Sequence, residues 1–434
     1  MSFVNVGLIG AGTVGCGVIK VINQNGGIIE DRTGIKLNLK KIADVDPDRK
    51  RPVKIPRGKL TTDARELIED DEIQIIIELV GGTTVAKDFV LSAIKNGKHV
   101  VTANKALLAH HGKEIFGAAS KKEVDVGFEA SVGGGIPIIK STQDSFAANN
   151  INSIHGIMNG TSNYILSKMT DEGSEFADVL KQAQEEGYAE ADPTFDVDGI
   201  DAAHKLSILI MLSFGTFIKF EKFHVEGIRN ITPLDIAFAD ELGYKIKLLA
   251  IAKSRDYGLE AGVYPALVRK GTQLADVSGA FNAIYLVGDA VGPSMLYGMG
   301  AGMMPTASAV VSDVINIARQ LCLENTHMSP PRLYGDKKSA SLVKMKDTTN
   351  KYYLRFDAED RPGVLGKITG SLGKNGISIE SVIQKGRHLG GGDVPVVIMT
   401  HEAKEQNLLT ALREIGRYSK VKDKTTFIRI EELT

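Results

Sequence analysis

The chain has 434 residues, 43% hydrophobic and 24% charged, with 52 basic against 53 acidic side chains and a formal net charge of −1. That is ordinary globular composition, long enough for two or three domains, and the near-neutral balance argues against nucleic acid or an anionic membrane as partner. The longest apolar stretch, residues 206–218, is broken by serines and Gly215 and is too short to span a bilayer. The N-terminal MSFVNVGLIGAG lacks the basic flank of a signal peptide, and with only Cys16 and Cys322 no disulfide framework is expected, which fits a cytoplasmic setting.

In chain order, an apolar strand at residues 4–9 is predicted to run into GAGTVG, residues Gly10, Ala11, Gly12, Thr13, Val14 and Gly15, with a helix after it. In that setting each glycine has a task. The first turns tightly, the second lets backbone approach a pyrophosphate, and the third lets helix pack on strand, while the helix N-terminus meets the phosphates. The second strand, LNLKKIADVD, ends at Asp44 and Asp46, and an acid there accepts from ribose hydroxyls and favours NAD over NADP. Arg49, Lys50 and Arg51 follow and would instead grip a 2′-phosphate. NGGIIEDRTG reads as an insertion that lengthens the spacing. Two more strands, IQIIIELVGG and GKHVVTANK, flank an amphipathic helix closed by Asn96-Gly97. Alternating strand and helix imply a parallel, doubly wound sheet whose ligand lies beyond the strand ends, where Lys105 sits.

Farther along, ADPTFDVDGIDAAHKL (191–206) crowds Asp192, Asp196, Asp198 and Asp201 beside His204 and Lys205. A calcium loop is excluded, because aligning on Gly199 puts Lys205 where a bidentate glutamate is required. Zinc is equally unsuited, since His155 and His204 lack ligand spacing. From Gly199 the residues have helical spacing, so Asp201 and Lys205 share a face one turn apart. A surface ion pair is the plain reading. The apolar flanks instead suggest a buried lysine with a carboxylate partner, suited to proton transfer.

NGTSNYIL (159–166), GYAEADPTFDVDGIDAAHKL (187–206), TANK (102–105) and GAGMMPTASAVVSD (300–313) together resemble homoserine dehydrogenase, in order over residues 1–320. The resemblance implies reversible NAD(P)H-dependent reduction of L-aspartate 4-semialdehyde to L-homoserine, on the route to threonine, methionine and isoleucine. It implies Lys205 as proton donor, with Asp201 orienting it and helping to hold substrate. Glu190 would bind the substrate ammonium, Gly187, Tyr188 and Thr161 would line the pocket, and Asp196 would support it. Lys105 would sit beside nicotinamide and substrate, and Thr102 and Gly302 would face the cofactor. A monovalent cation, usually sodium, is implied near EASVGGGIP, held by Glu129 and the carbonyls of Val132, Gly134 and Ile136. Met303 stands where many relatives have another glycine, and Asp44-Val45-Asp46 occupies the place of the basic residue of NADP-preferring members.

After residue 325 a polar Pro-Pro stretch reads as a linker to residue 350. Beyond it the order β-α-β-β-α-β is that of the split βαβ fold. DRPGVLGKIT with NGISIESVIQ resembles the ACT domain, a module that binds small amino acids between paired copies. Asp360, Gly363, Val364 and Asn375 are the expected effector positions, with threonine the expected effector.

The expected architecture is therefore α/β: a Rossmann-type domain (1–140), an α+β catalytic and dimerisation domain (141–325), a linker (326–350) and a ferredoxin-like ACT domain (351–434). The helix at 306–320 is expected to pack back on the first domain. A homodimer or homotetramer is implied. A phosphorylating semialdehyde dehydrogenase would need a nucleophilic cysteine in the cleft, which neither Cys16 nor Cys322 supplies. A fused kinase is not expected, because no kinase-sized segment precedes the first strand. The remaining alternative is a non-catalytic protein that senses NAD and an amino acid on the same scaffold.

Overall fold

The computed structural model describes residues 2–322, 341–385 and 393–433. They fall into two units, one of residues 2–151, 203–222 and 281–322, the other of residues 152–202, 223–280, 341–385 and 393–433.

In the first unit, strands β1 (Ser2–Ile9), β2 (Ile35–Ala43), β3 (Leu60–Thr61), β4 (Ile75–Glu78), β5 (His99–Thr102) and β6 (Val126–Gly127) form one sheet in the order 3-2-1-4-5-6. Every pairing in it is parallel. That is the doubly wound dinucleotide-binding order, and β4 and β5 are wholly buried because helices cover both faces. The helix after the glycine turn runs Thr13–Thr33, longer than the sequence pattern suggests. Its last nine residues, 25–33, come from the NGGIIEDRTG segment, so the stretch that lengthens the spacing continues the helix. Gly26 and Gly27 each weaken it by about 1 kcal/mol relative to alanine. The buried Ile29 and the left-handed cap at Gly34 (φ 71°), whose N–H donates to Glu30 O, hold its end.

Helix Met303–Cys322 packs on helix Thr13–Thr33, burying Ala307, Val310, Val311 and Val314 in one core with Val18, Ile19 and Ile22. Gly17 makes the close approach possible, since a Cβ there would lie 2.6 Å from the carbonyl oxygen of Met303. Met303 thus has a backbone role in the contact between the two helices.

The remaining strands are β7 (Ile151–Ile157), β8 (His224–Val225), β9 (Tyr244–Arg255), β10 (Gly258–Arg269), β11 (Phe281–Gly288), β12 (Gly292–Met299), β13 (Thr349–Glu359), β14 (Ile379–Gln384), β15 (Asp393–Thr400), β16 (Ala403–Lys404) and β17 (Val421–Glu431). The antiparallel hairpin β11–β12 belongs to the first unit. In the second unit a mixed sheet runs β7-β9-β10-β17-β13-β15-β14. Its last four strands, with helices Val364–Lys374 and Glu405–Ile415, are the split βαβ unit, packed around Tyr352, Leu354, Phe356, Ile368, Leu372 and Leu408. This unit is no appendage on a tether. Strand β17 pairs parallel with β10, with Ala266, Leu267 and Val268 opposite Arg429, Ile430 and Glu431. Most of the expected linker lies outside the described residues. Its end is anchored: Leu342 bridges to Leu259, and Thr349 already begins β13.

Candidate active site

The glycine turn is built as a phosphate cradle. Gly10 has φ 98° and lies so close to Leu79 that a Cβ would meet its carbonyl oxygen at 2.7 Å. A Cβ on Gly15 would meet Gly10 O at 2.1 Å. Around Gly12, by contrast, no atom lies within 4 Å of the Cβ position, and Gly12 is the N-cap of the helix. The two outer glycines close the turn and the middle one leaves room beside free helix amides, which fits a dinucleotide pyrophosphate. Thr13 opens the helix, and Val14 packs against the core beneath.

Asp44 stands at the end of β2, as expected, but it also supports the turn. Its carboxylate accepts from Ala11 N–H at 2.7 Å and pairs with Arg51 at 3.1 Å, while Arg51 donates to Ala11 O at 3.3 Å. Burial pushes the Asp44 carboxyl up, and the N–H groups of Asp46 and Ala11 with the Arg51 guanidinium outweigh it, so the acid sits below its ordinary value. Arg51 is therefore spent on protein oxygens, including those of Pro47 and Arg49. Next to it a cleft of about 630 Å³ is lined by Arg49, Arg51, Arg57, Thr61 and Thr62.

At the ends of β4 and β5, Thr102 donates to Glu78 at 2.7 Å and takes the Asn104 N–H at 3.0 Å. Glu78 also receives Val80 N–H at 2.9 Å and is fully buried, which raises its carboxyl above the ordinary value. The Thr102 hydroxyl is thus committed to shaping the strand-end loops, leaving its backbone for any cofactor contact. Asn104 caps helix Lys105–Lys122, whose first residue is Lys105. Gly302 (φ 118°) precedes the helix that packs beside the glycine turn's own.

Of the cation candidates, the Glu129 side chain is already engaged. Its oxygens accept from the N–H groups of Ile139 (2.8 Å) and Lys140 (2.9 Å), anchoring the next helical turn. Burial lifts its carboxyl to about 7, and nearby Asp313 is lifted to about 6 for the same reason. Val132 and Ile136 are buried around the Gly133-Gly134 turn, both glycines having positive φ. Among the described residues no cluster of three His, Cys, Asp or Glu side chains could hold a metal. A cation here would rest on backbone carbonyls.

The acid stretch gathers on one residue outside the candidate set. Asn159 caps helix Gly160–Glu172 with its Oδ1, accepting Ser162 N–H at 2.8 Å, and its amide nitrogen donates to both Asp196 (2.7 Å) and Asp201 (2.9 Å). Asp201 opens helix Ile200–Phe214 at 3% exposure, and Lys205, one turn on, is 7% exposed. The surface ion-pair reading is thereby excluded. That helix runs from the second unit into the first, with His204 edge-on to Phe220 and His110. Thr161 donates to Tyr188 O at 2.7 Å, Tyr188 stacks on Tyr164 at 4.4 Å, and Gly187 turns the chain at φ 80°. Glu190 is exposed, its carbonyl taking the Gln184 amide at 3.0 Å. Asp196 lies in the short helix Thr194–Val197, followed by Gly199 at φ 83°.

In the split βαβ unit, Gly363 (φ 87°) caps helix Val364–Lys374, Val364 is buried, and Asp360 lies 3.5 Å from Gln384 Nε2. Asn375 is not with them. It ends the same 11-residue helix, roughly 16 Å along the axis, and donates to Ser371 O and Glu414. One copy does not assemble the four positions.

A parallel dinucleotide-binding sheet, a buried lysine one turn from a buried carboxylate, and a split βαβ unit fit a dinucleotide-dependent oxidoreductase. The comparisons narrow this. Family models for homoserine dehydrogenase match residues 137–315, for its NAD-binding domain residues 10–129, and for the ACT domain residues 352–417. A homoserine dehydrogenase of Neisseria gonorrhoeae is 44% identical over the whole of both chains. The crystal structure of one from Thiobacillus denitrificans is 43% identical and superposes with a TM-score of 0.92 over 100% of this chain and 99% of that one. A hyperthermophilic archaeal homoserine dehydrogenase in complex with NADPH is 25% identical, with a TM-score of 0.62 over 75% of this chain and 99% of its own. The chain belongs to the homoserine dehydrogenase family. It is an NAD(P)-binding oxidoreductase with an ACT domain, and the non-catalytic alternative is not favoured.

Proposed function

We propose that Lys205 protonates the carbonyl oxygen of L-aspartate 4-semialdehyde as the bound nicotinamide supplies hydride, and takes the proton back from L-homoserine in reverse. The observation that carries this is Asn159, which ties Asp196 and Asp201 together one turn before a buried lysine. Asp201 orients Lys205, and with Asp196 and Glu190 offers negative charge to the substrate ammonium. Thr161, Gly187 and Tyr188 shape the wall, and Lys105 and Gly302 meet the cofactor side. If Lys205→Ala folded normally and turned over homoserine at the wild-type rate, this assignment would fall.

For the cofactor, the ionised Asp44 supports NAD. A second reading, NADP, is favoured by Arg49 and Arg57 in the adjoining cleft and by the NADPH bound to the archaeal relative. The ratio of kcat/KM with the two cofactors decides, and Arg49→Ala with Arg57→Ala should lower NADP use alone if that cleft takes the phosphate. A monovalent cation, sodium, would be held by the carbonyls of Val132, Gly134 and Ile136 beside the buried Glu129. Sodium chloride but not choline chloride should then raise Tm. Threonine is the proposed effector. Gly363 and Val364 offer helix amides to its carboxylate, with Asp360 nearby, and Asn375 comes from a second copy, which supports a homodimer or homotetramer. Two free thiols, Cys16 and Cys322, and the absence among described residues of any helix able to cross a membrane fit activity in the cytoplasm. Initial rates with homoserine, with and without threonine, test the regulatory part.

A further inference from the structure

Two arginines of the split βαβ unit reach out of it. Arg429 on β17, 1% exposed, forms a bidentate pair with Glu405 (2.8 and 2.9 Å) and donates to Glu226 at 3.3 Å, its guanidinium lying over Tyr264. Arg355 on β13 donates to both oxygens of the fully buried Asp235 (2.7 and 3.3 Å), where Tyr353 adds its hydroxyl at 3.1 Å. Glu226 and Asp235 are the two ends of one ten-residue segment. Glu226 N–H is fixed to Val263 O on β10, and Asp235 forms a capping box with Thr232. The segment 226–235 is therefore a strap pinned at both ends by regulatory-domain arginines.

The middle of the strap carries the acid stretch. Ile228 N–H donates to Val197 O at 2.9 Å, and Arg229 binds Asp198 and Thr194. Gly227 lies so close beneath that a Cβ would meet Val197 O at 2.2 Å and Asp198 Cα at 2.5 Å. Residues 194–198 in turn place Asp196, whose carboxylate Asn159 joins to Asp201.

We infer that the strap 226–235 sets the position of the substrate acids, making Arg429 and Arg355 positioning residues that link the ACT domain to substrate affinity. This rests on the proposal that Asp196, Asp201 and Asn159 serve the substrate. Arg355 is bidentate on the strap's own Asp235 and cannot slide along it as a lysine can, so movement of β13 shifts that end directly; Arg429, fixed on Glu405, carries movement of β17 to Glu226 through a single bond.

The test measures homoserine KM, kcat and nucleotide Kd for Glu226→Gln, Arg429→Lys, Arg355→Lys and Gly227→Ala in the full chain, with Tm as the check on folding. Glu226→Gln takes the charge out of the strap's tie to Arg429, and out of its 3.5 Å pair with His224, while leaving the Arg429–Glu405 pair, so it keeps the test available if the arginine variants unfold. Gly227→Ala moves the acid stretch without touching the ACT domain. Each folded variant is expected to raise homoserine KM roughly three- to tenfold, with nucleotide Kd and kcat near wild type. Wild-type KM in folded Glu226→Gln and Gly227→Ala overturns the inference, and so does an equal loss in KM, kcat and nucleotide Kd, the mark of general loosening. Asn159→Ser in the same assay separates the two proposals: if it leaves KM unchanged, the substrate-acid reading fails first, and if it alone raises KM, only the strap fails.

Discussion

The glycine turn at residues 10–15 and the acid stretch at residues 187–205 are built from opposite materials. The turn works through backbone: two glycines are closed against carbonyl oxygens, the third is open, and all belong to one short segment. The acid stretch works through side chains, and the group that joins its carboxylates, Asn159, arrives from a separate helix cap. A backbone site tolerates no Cβ at fixed points, and the distant side chains that brace it, Asp44 and Arg51, do so through backbone groups of Ala11. A side-chain site tolerates local change in shape but fails when a remote donor is lost.

The largest effect that would sharpen this contrast is at Lys205. Lys205→Ala is expected to lower kcat about a hundred- to ten-thousandfold, the range of a general acid, with nucleotide Kd from fluorescence titration unchanged. Next comes the other side-chain cluster, where Glu431 is buried against Lys253 (2.5 Å), Tyr264 (2.9 Å) and His155 (3.7 Å). Burial pushes its carboxyl up, but Lys253 and His155 prevail and hold it at about 2. A depressed carboxyl contributes stability in full above its unfolded value and loses it as pH falls through the folded one. Roughly 3 kcal/mol should thus vanish between about pH 4.5 and pH 2, seen as a drop in Tm that Glu431→Gln flattens. Asn159→Ser keeps the helix cap and removes the amide bridge, and should raise homoserine KM about ten- to hundredfold with little change in Tm. The smallest effect should be at Gly12, which has ordinary φ (−73°) and open space. Gly12→Ala should weaken nucleotide binding about tenfold without altering Tm, whereas Gly15→Ala, driven into Gly10 O, should cost about 1–3 kcal/mol of stability. Equal Tm for the two alanine variants would break the comparison.

The same contrast explains what could be read in the sequence. Gly10, Gly12 and Gly15 announce themselves because strand, turn and helix are contiguous, and the placing of Asp201 and Lys205 one turn apart follows from helical period. The parallel, doubly wound character of the first sheet and the β-α-β-β-α-β tail are likewise local patterns repeated. Asn159 opens the NGTSNYIL motif, but its side chain's reach to Asp196 and Asp201 depends on tertiary packing, and only its position as an N-cap hints at it. Glu78 escapes notice in the same way, because its partner Thr102 lies on another strand, and Arg51, expected to grip a 2′-phosphate, is bound instead to Asp44 and backbone oxygens. The long helix Thr13–Thr33 was obscured by Gly26-Gly27, where tertiary anchoring at Ile29 outweighs propensity.

Strand β17 has a consequence for how the polypeptide comes together. The flank of β10 at Ala266, Leu267 and Val268 is made about 160 residues earlier in translation (268 to 429) than the end of the ribbon that covers it, Arg429, Ile430 and Glu431. Until that ribbon arrives, the catalytic lamina carries a bare hydrogen-bonding margin, open to pairing with a neighbouring nascent chain. Any shortening that removes the ribbon would leave the same margin permanently exposed, so truncation of the split βαβ unit should come with aggregation, whereas point changes that spare the ribbon should not.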